Sequence, residues 1–330
     1  MRKIYIDGDL LAAAGKFSKT LFQNRSFTLP KKNLEDLKNK LKPVKEQNYR
    51  AYIQKIIDEY ERILSATPSE MKLLINEFDA LKVDVTKKTP YKKFEFHKSI
   101  VHAMRYEDLR KVESIPYLKN SGLKTCVYCN AQLSVVVENI YYDRKKKKKI
   151  KTRLARLELD HYYSKSKYPF LCTSFFNLYP VCSNCNKAKG DKPAAFTLYS
   201  ELDHENKNVF NFWLNDESIT KYKVSRMCND FKIHFDSIDG NVHLRNNHND
   251  IFCIEGIYNT QKDLAEEILI KSEIYSKAYK RSLINSFGTV IYDEELINRL
   301  LLGNYDKPED IHKRPMAKFT QDIAKQLHLI

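Results

Sequence analysis

Residues 157–171 read LELDHYYSKSKYPFL. Leu157, Leu159 and His161 alternate as a half-buried strand does, and the strand runs into a loop of tyrosines and lysines. An acid and an imidazole at a strand end are costly to bury and add little packing. Taken alone, Asp160-His161 reads as a surface turn. What stands around it decides otherwise.

Two Cys-x-x-Cys pairs frame the stretch: Cys126 and Cys129 in CVYC, and Cys182 and Cys185 in CSNC. A two-residue gap lets both thiolates of a pair point at one ion, and two pairs complete a tetrahedral four-sulfur site. Protein then fills every position, so the metal expected is a structural zinc. A lone pair would leave a redox motif or free thiols open; two pairs flanking one insert favour zinc. The 52 residues between Cys129 and Cys182 exceed a minimal zinc ribbon, so something foldable sits between them. The other three of the seven cysteines, Cys172, Cys228 and Cys253, lack paired spacing and read as core or incidental.

Within and beside this frame the order is Asp160-His161, then Asn177 in FFNLYPVC, then Asn186 in CNKAKGDK. Singly, each has a plain explanation: a turn, another turn, a helix cap. Jointly, the first Cys-x-x-Cys, a strand ending in Asp-His, an Asn-Leu and a second Cys-x-x-Cys running into Asn-x-x-Lys resemble the HNH endonuclease family, of the ββα-metal fold. The resemblance covers residues 126 to about 192. It implies that Asp160 binds a divalent cation and that His161 is the general base activating a water. It implies that Asn177 hydrogen-bonds within the loop and holds His161 in pose. Asn186 stands where the family has its final His; this is the HNN variant, and the Asn186 amide oxygen would be the second protein ligand of the cation. One departure is Ser164, near the position where many members have a proline; here Pro169 comes later.

The residue types suit that chemistry on their own terms. Phosphodiester hydrolysis needs a nucleophile near neutral pH, where histidine titrates. A carboxylate and an amide oxygen are hard ligands that suit Mg2+ or Mn2+ better than zinc. Two different metals at two sites are therefore expected. Strand alternation puts Asp160 and His161 on opposite sides, so a sharp turn is expected to bring both to one metal-bound phosphate, with Asp160 and Asn186 converging on the ion.

Upstream, SVVVENIYY is β-rich and TRLARLELD alternates, so residues 134–160 read as one hairpin. Its tip is RKKKKKIKTR, and residues 144–156 hold nine basic side chains. A charge run is often only a solvated surface. On the hairpin that delivers Asp160-His161, Lys145, Lys146, Lys147, Lys148 and Lys149 read as a phosphate-backbone clamp. Lys165, Lys167, Lys187, Lys189 and Lys192 add charge around the same site. Tyr162, Tyr163 and Tyr168 could stack on bases or pack the loop.

The whole chain agrees with an α+β protein that meets a polyanion. Its 330 residues are 42% hydrophobic, which is foldable, and its net charge of +15 favours nucleic acid. Asp7 and Asp9 interrupt any signal-peptide core, and no apolar run approaches the ~20 residues of a membrane span, so a cytoplasmic protein is expected. Three regions follow: residues 1–120 mostly helical, 121–200 the HNH domain with its zinc knuckles, and 201–330 a β-hairpin with helices. In the first region, Tyr49, Tyr52, Ile53, Ile56, Ile57, Tyr60, Ile63 and Leu64 share one helical face. Met71, Leu74, Ile75 and Phe78 repeat the pattern after Pro68. In the third, FKIHFDSIDGNVHLR predicts a hairpin turning at Asp239-Gly240. A long helix is expected next, capped by Thr260 with Asp263 and burying Leu264, Ile268, Tyr275 and Tyr279. A short helix then stops at Gly303.

The function expected is hydrolysis of double-stranded DNA. By family analogy alone, such a chain is an effector of a bacterial antiphage or restriction system, partnered by an ATPase or other defence-system subunit. The alternatives are a non-catalytic zinc-stapled module that binds nucleic acid or a partner, and an RNA-directed nuclease toxin.

Overall fold

A computed structural model describes every residue except 24, 89–94, 146, 204–206 and 289–292. Strand β1 (Ile4–Tyr5) opens the chain. Helices α1 (Gly8–Thr20), α2 (Pro30–Asn39), α3 (Gln47–Asp58), α4 (Tyr60–Ser65), α5 (Pro68–Asp79), α6 (Phe96–Ala103), α7 (Tyr106–Asp108) and α8 (Ile115–Asn120) follow. The middle holds β2 (Val135–Asp143), β3 (Lys148–Arg156), β4 (Glu158–His161), β5 (Leu178–Val181), α9 (Ser183–Lys189) and β6 (Tyr199–Ser200). The last part holds β7 (Phe210–Leu214), α10 (Asp216–Ser225), β8 (Ile233–Ser237), α11 (Val242–Phe252), α12 (Ile254–Asn259), α13 (Lys262–Ile274), α14 (Lys277–Phe287), α15 (Glu294–Leu302) and α16 (Ala317–Gln326). The fold is thus mixed α and β, with mostly helical flanks.

The apolar stripes of the first region do close a core. Helix α5 starts where Pro68 suggests, and Thr67 and Glu70 form a reciprocal capping box ahead of it. Met71, Leu74, Ile75 and Phe78 are all buried. The longer stripe is two helices, α3 and α4, parted at Glu59; Tyr52, Ile53, Ile56, Tyr60, Ile63 and Leu64 are buried along both. A second core gathers the four paired cysteines with residues of β7, β8, α12, α13 and α16.

The sheets are all two-stranded among the described residues. β1 pairs parallel with β6, while β2–β3, β4–β5 and β7–β8 are antiparallel. The stretch 134–160 is therefore not one hairpin. Leu157 separates β3, which turns back on β2, from β4, which pairs onward with β5. Burial explains the break: β2 and β3 are nearly all exposed or half-buried, whereas Leu159, Asp160 and His161 are buried.

β4–β5 lies between the two cores, and its alternation serves both. Leu159 and Leu178 pack into the first core; Tyr179 and Val181 pack into the second. His161 stands opposite Leu178, and Asp160 opposite Tyr179. His161 thus belongs to the first face and Asp160 to the second.

The third region corrects several expectations. The Asp239-Gly240 turn is present, with Gly240 at φ +72°, but it leads into α11 rather than a strand. The Asn241 side chain caps that helix, and Leu244, His248 and Phe252 recur at helical spacing on its packed side. Val242 is exposed. The true partner of β8 is β7, whose Phe210, Phe212 and Leu214 are buried. The long helix is α13 and α14, interrupted at Tyr275 and restarted by a Ser276 cap. Thr260 makes no capping box; its hydroxyl donates to the Ile257 carbonyl. Tyr279 is exposed. Helix α15 ends at Gly303 in the left-handed region, as expected.

Candidate active site

The four paired cysteines converge. The Sγ atoms of Cys126, Cys129, Cys182 and Cys185 all lie within 4.8 Å of one another, and all four residues are buried. The second pair forms its knuckle at a helix start: Cys182 caps α9, and the Cys185 amide donates to its Sγ. The first pair is braced from the C-terminal region. Tyr258 donates to the Cys129 carbonyl, and the Asn130 side chain donates to the Ile311 carbonyl. Four inward sulfurs at this spacing match the chemistry of a tetrahedral thiolate site.

The first knuckle also reaches Asp160. The Tyr128 hydroxyl, fully buried, donates to Asp160 Oδ2 at 2.7 Å. Tyr128 itself stacks on Phe252 at 4.4 Å between centroids, and its carbonyl contacts His248 Nε2 at 2.8 Å. On the other side of the carboxylate sits Lys189, 1% exposed, with Nζ 3.2 Å from both oxygens. Lys189 also donates to the His161 carbonyl at 2.8 Å. Burial pushes the Asp160 pKa up, against the pull of the Lys189 charge and the Tyr128 hydrogen bond.

His161 faces the helical core. Its Nε2 lies 2.9 Å from the Cys172 carbonyl, which cannot donate, so Nε2 carries the proton and Nδ1 keeps the lone pair. The ring packs against Tyr106 at 4.6 Å, and the Tyr106 hydroxyl donates to the Leu159 carbonyl. Burial lowers the His161 pKa to about 3, and the Lys165 charge adds to it. The ring is neutral at pH 7. Among the described residues, Nδ1 of His248 and of His312 is buried without a partner.

Asn177, fully buried, ties the loop together. Its Oδ1 accepts from the Tyr163 amide at 2.7 Å, and its Nδ2 donates to the Leu171 and Tyr163 carbonyls at 2.9 and 3.1 Å. Ser164 donates to Asp191 just beyond α9 at 2.5 Å and bonds Ser166. That closes the loop without the proline.

Asp160, His161 and Asn186 line one cleft of about 250 Å3, together with Tyr106, Lys165 and Asp191. No sharp turn between Asp160 and His161 is needed. They keep opposite faces of β4, and the cleft opens where both can be reached. Asn177 stands behind it in the loop. For a cation, the donors on offer are the Asp160 carboxylate and the Asn186 amide. Tyr128 and Lys189 already engage both oxygens of the carboxylate, so a cation here would share Asp160 with the Lys189 ammonium. Few hard ligands with space for water fit Mg2+ better than a closed protein cage would.

The basic residues divide. Lys189 is not a surface contact; it is an internal ion pair, because the helix turn after Asn186 points it at β4. Lys165 is half-buried at the cleft with Nζ 4.6 Å from the Tyr106 ring. Lys145, Lys147, Lys148, Lys149, Lys167, Lys187 and Lys192 are exposed, and Lys146 lies outside the described residues. The tyrosines pack the loop: Tyr162 stacks on Tyr179, Tyr163 meets Tyr162 and Tyr168 edge-on, and Tyr168 meets Phe170. Cys172 is core, while Cys228 is half-buried and Cys253 exposed.

Tyr106 and Tyr128 are the residues that sequence reasoning missed. Tyr128 carried a signal, a large aromatic inside a metal-binding knuckle; Tyr106 carried none. Protein-family models, curated proteins and solved structures offer no match to this chain. Among the described residues no helix is long and apolar enough to cross a membrane.

Proposed function

We propose that this chain is a metal-dependent endonuclease of the HNH type, with a ββα-metal core formed by β4, β5 and α9, and that it hydrolyses phosphodiester bonds in double-stranded DNA. One observation carries the reading: Asp160, His161 and Asn186 line a single cleft, with His161 Nε2 anchored on the Cys172 carbonyl. The four-cysteine cluster holds a structural zinc, and Asp160 with Asn186 holds Mg2+ or Mn2+.

Neutral His161 takes a proton from the attacking water at Nδ1. As it does so, the Nε2–H bond to the Cys172 carbonyl strengthens and keeps the ring in place. The water oxygen forms the new bond to phosphorus, and the sugar oxygen leaves with the electron pair of the broken bond. The cation, when bound, neutralises the phosphoryl and leaving oxygens. Lys189 and Tyr128 hold Asp160 ionised and oriented in a buried setting. Asn177 locks the loop that carries the Cys172 carbonyl.

The test is plasmid DNA and RNA incubated with the pure protein in Mg2+, Mn2+ or EDTA. DNA cleavage in either metal, none in EDTA, and none by a folded His161→Ala protein are expected. A variant that cuts at the parental rate refutes the assignment. Elemental analysis should find about one zinc per chain. A role as the effector of a bacterial antiphage or restriction system, partnered by an ATPase or another defence subunit, rests on family analogy.

A second reading has one observation in its favour. Asp160 is already satisfied by Tyr128 and Lys189, as a purely structural ion pair would be. A non-catalytic zinc module of this kind would cut no nucleic acid with any divalent ion.

A further inference from the structure

We propose that the β2–β3 ribbon is an arm that enters the major groove of B-form DNA beside the cleaved bond; the inference rests on the DNA reading above. Each strand is nine residues long, and most of the ribbon stands in solvent. The register places Val137 opposite Leu154 and Tyr141 opposite Ile150, so these four share one face. That face is uncovered: Tyr141 is 47% and Leu154 44% exposed. Lys148 and Arg156 lie on the same face, and the other face carries Lys149, Lys151 and Arg153 with Ile140 and Tyr142, 61% and 58% exposed. An uncovered two-stranded ribbon is marginal in water by itself.

Charge selects the occupant. Eight described basic residues lie within 144–156, against Glu138 and Asp143 in the facing strand. Two copies set face to face would repel, whereas a polyanion is attracted. The major groove of B-form DNA admits a two-stranded ribbon and offers base edges and thymine methyls to apolar side chains. The deep, narrow major groove of A-form RNA does not.

The ribbon is also aimed. Glu138 pairs with Lys119 of α8, Lys151 and Arg153, which places the base of the arm beside α8. Only Leu157 separates β3 from the strand of Asp160 and His161. The arm therefore moves with the cleft. At ~3.3 Å per residue it reaches roughly 30 Å, which is about nine base pairs of duplex.

Binding of the His161→Ala chain, which separates this test from cleavage, is measured by fluorescence anisotropy, and its extent on the duplex by hydroxyl-radical footprinting. The probes are a DNA duplex of about three helical turns, an RNA duplex of the same sequence and the single DNA strand. The arm predicts a preference for duplex DNA over duplex RNA of roughly tenfold or more. Adding Tyr141→Ser with Leu154→Ser should remove that preference and shorten the footprint on one side by about nine base pairs. Adding Lys147→Gln, Lys148→Gln and Lys149→Gln should instead weaken every probe and flatten the log–log salt slope on duplex DNA by about 2.7. All five side chains are exposed, and matching circular-dichroism melts will show the variants folded. Unchanged footprint and preference in the Tyr141/Leu154 variant overturn the proposal. So does a dimer or a captured protein partner that this variant releases. Failure of the wild-type chain to cut DNA refutes the nuclease reading alone, because the binding preference stands without it.

Discussion

Two antiparallel ribbons follow one another in this chain, separated by Leu157, and meet opposite fates. β4–β5 has four-residue strands and is buried between two cores. β2–β3 has nine-residue strands that leave the body. The short ribbon can afford a carboxylate and an imidazole inside because each has bonded partners drawn from distant segments. The long ribbon carries more charge than any interior could satisfy, so it stays in water. A strand pair with both faces covered holds groups still; one that stands mostly in solvent is available for contact.

The largest expected difference is in the frame. Cys182→Ser should abolish zinc retention and unfold the buried ribbon together with the second core, since structural zinc contributes on the order of 10 kcal/mol or more to folding. The check is zinc content with circular dichroism, and a cooperative native melt without zinc would remove the metal from the account. Lysines come next. Lys189→Met leaves Asp160 buried with only Tyr128, and should cost ~3–5 kcal/mol in urea denaturation. Lys148→Met on the exposed ribbon should leave the urea midpoint where it is. Equal effects would erase the contrast between the ribbons.

Asn177→Ala removes three side-chain hydrogen bonds from the loop behind His161 and should cost roughly 2–3 kcal/mol. A smaller cost with full nuclease activity would free His161 from this tether.

Acid should weaken the bracing of the buried ribbon in a way that His248 reports. Its folded pKa, about 3, is held down by burial, well below the unfolded value near 6.5. Its contribution is therefore complete above pH 6.5 and is lost as pH falls toward 3. Between pH 7.5 and 5 the parent should lose roughly 2 kcal/mol more than His248→Leu does. Parallel urea curves for the two proteins would contradict this. Asp160 and Asp322 act in the opposite sense, because burial raises both.

The smallest effect belongs to Glu138→Gln. Its exposed partners hold its pKa down to about 2, yet exposed ion pairs are screened, and the thermal midpoint should not move.

Local patterns were read correctly where the local chain decides them. Pro68 and the stripe from Met71 to Phe78 make α5 because capping and periodicity act within one helix. The cysteine pairs were legible because two-residue spacing is itself the chelate. The hairpin around Asp239-Gly240 was misread because a polar His248 occupies a packed helical position, which hid the period of α11. Lys189 was misread because a lysine amid lysines carries no sign of a buried carboxylate one strand away.

Residue types in order determined, from the sequence alone, a four-thiolate frame, an Asp-His pair at a strand end and two asparagines after it. Tertiary structure decided that Asp160 and His161 keep opposite faces of one strand, that Tyr128 and Lys189 satisfy the first, and that Tyr106 and the Cys172 carbonyl fix the second. The reason is distance along the chain. Chelation and helix capping are written in neighbouring residues, whereas the solvation of a buried charge depends on groups that only folding brings within hydrogen-bond distance.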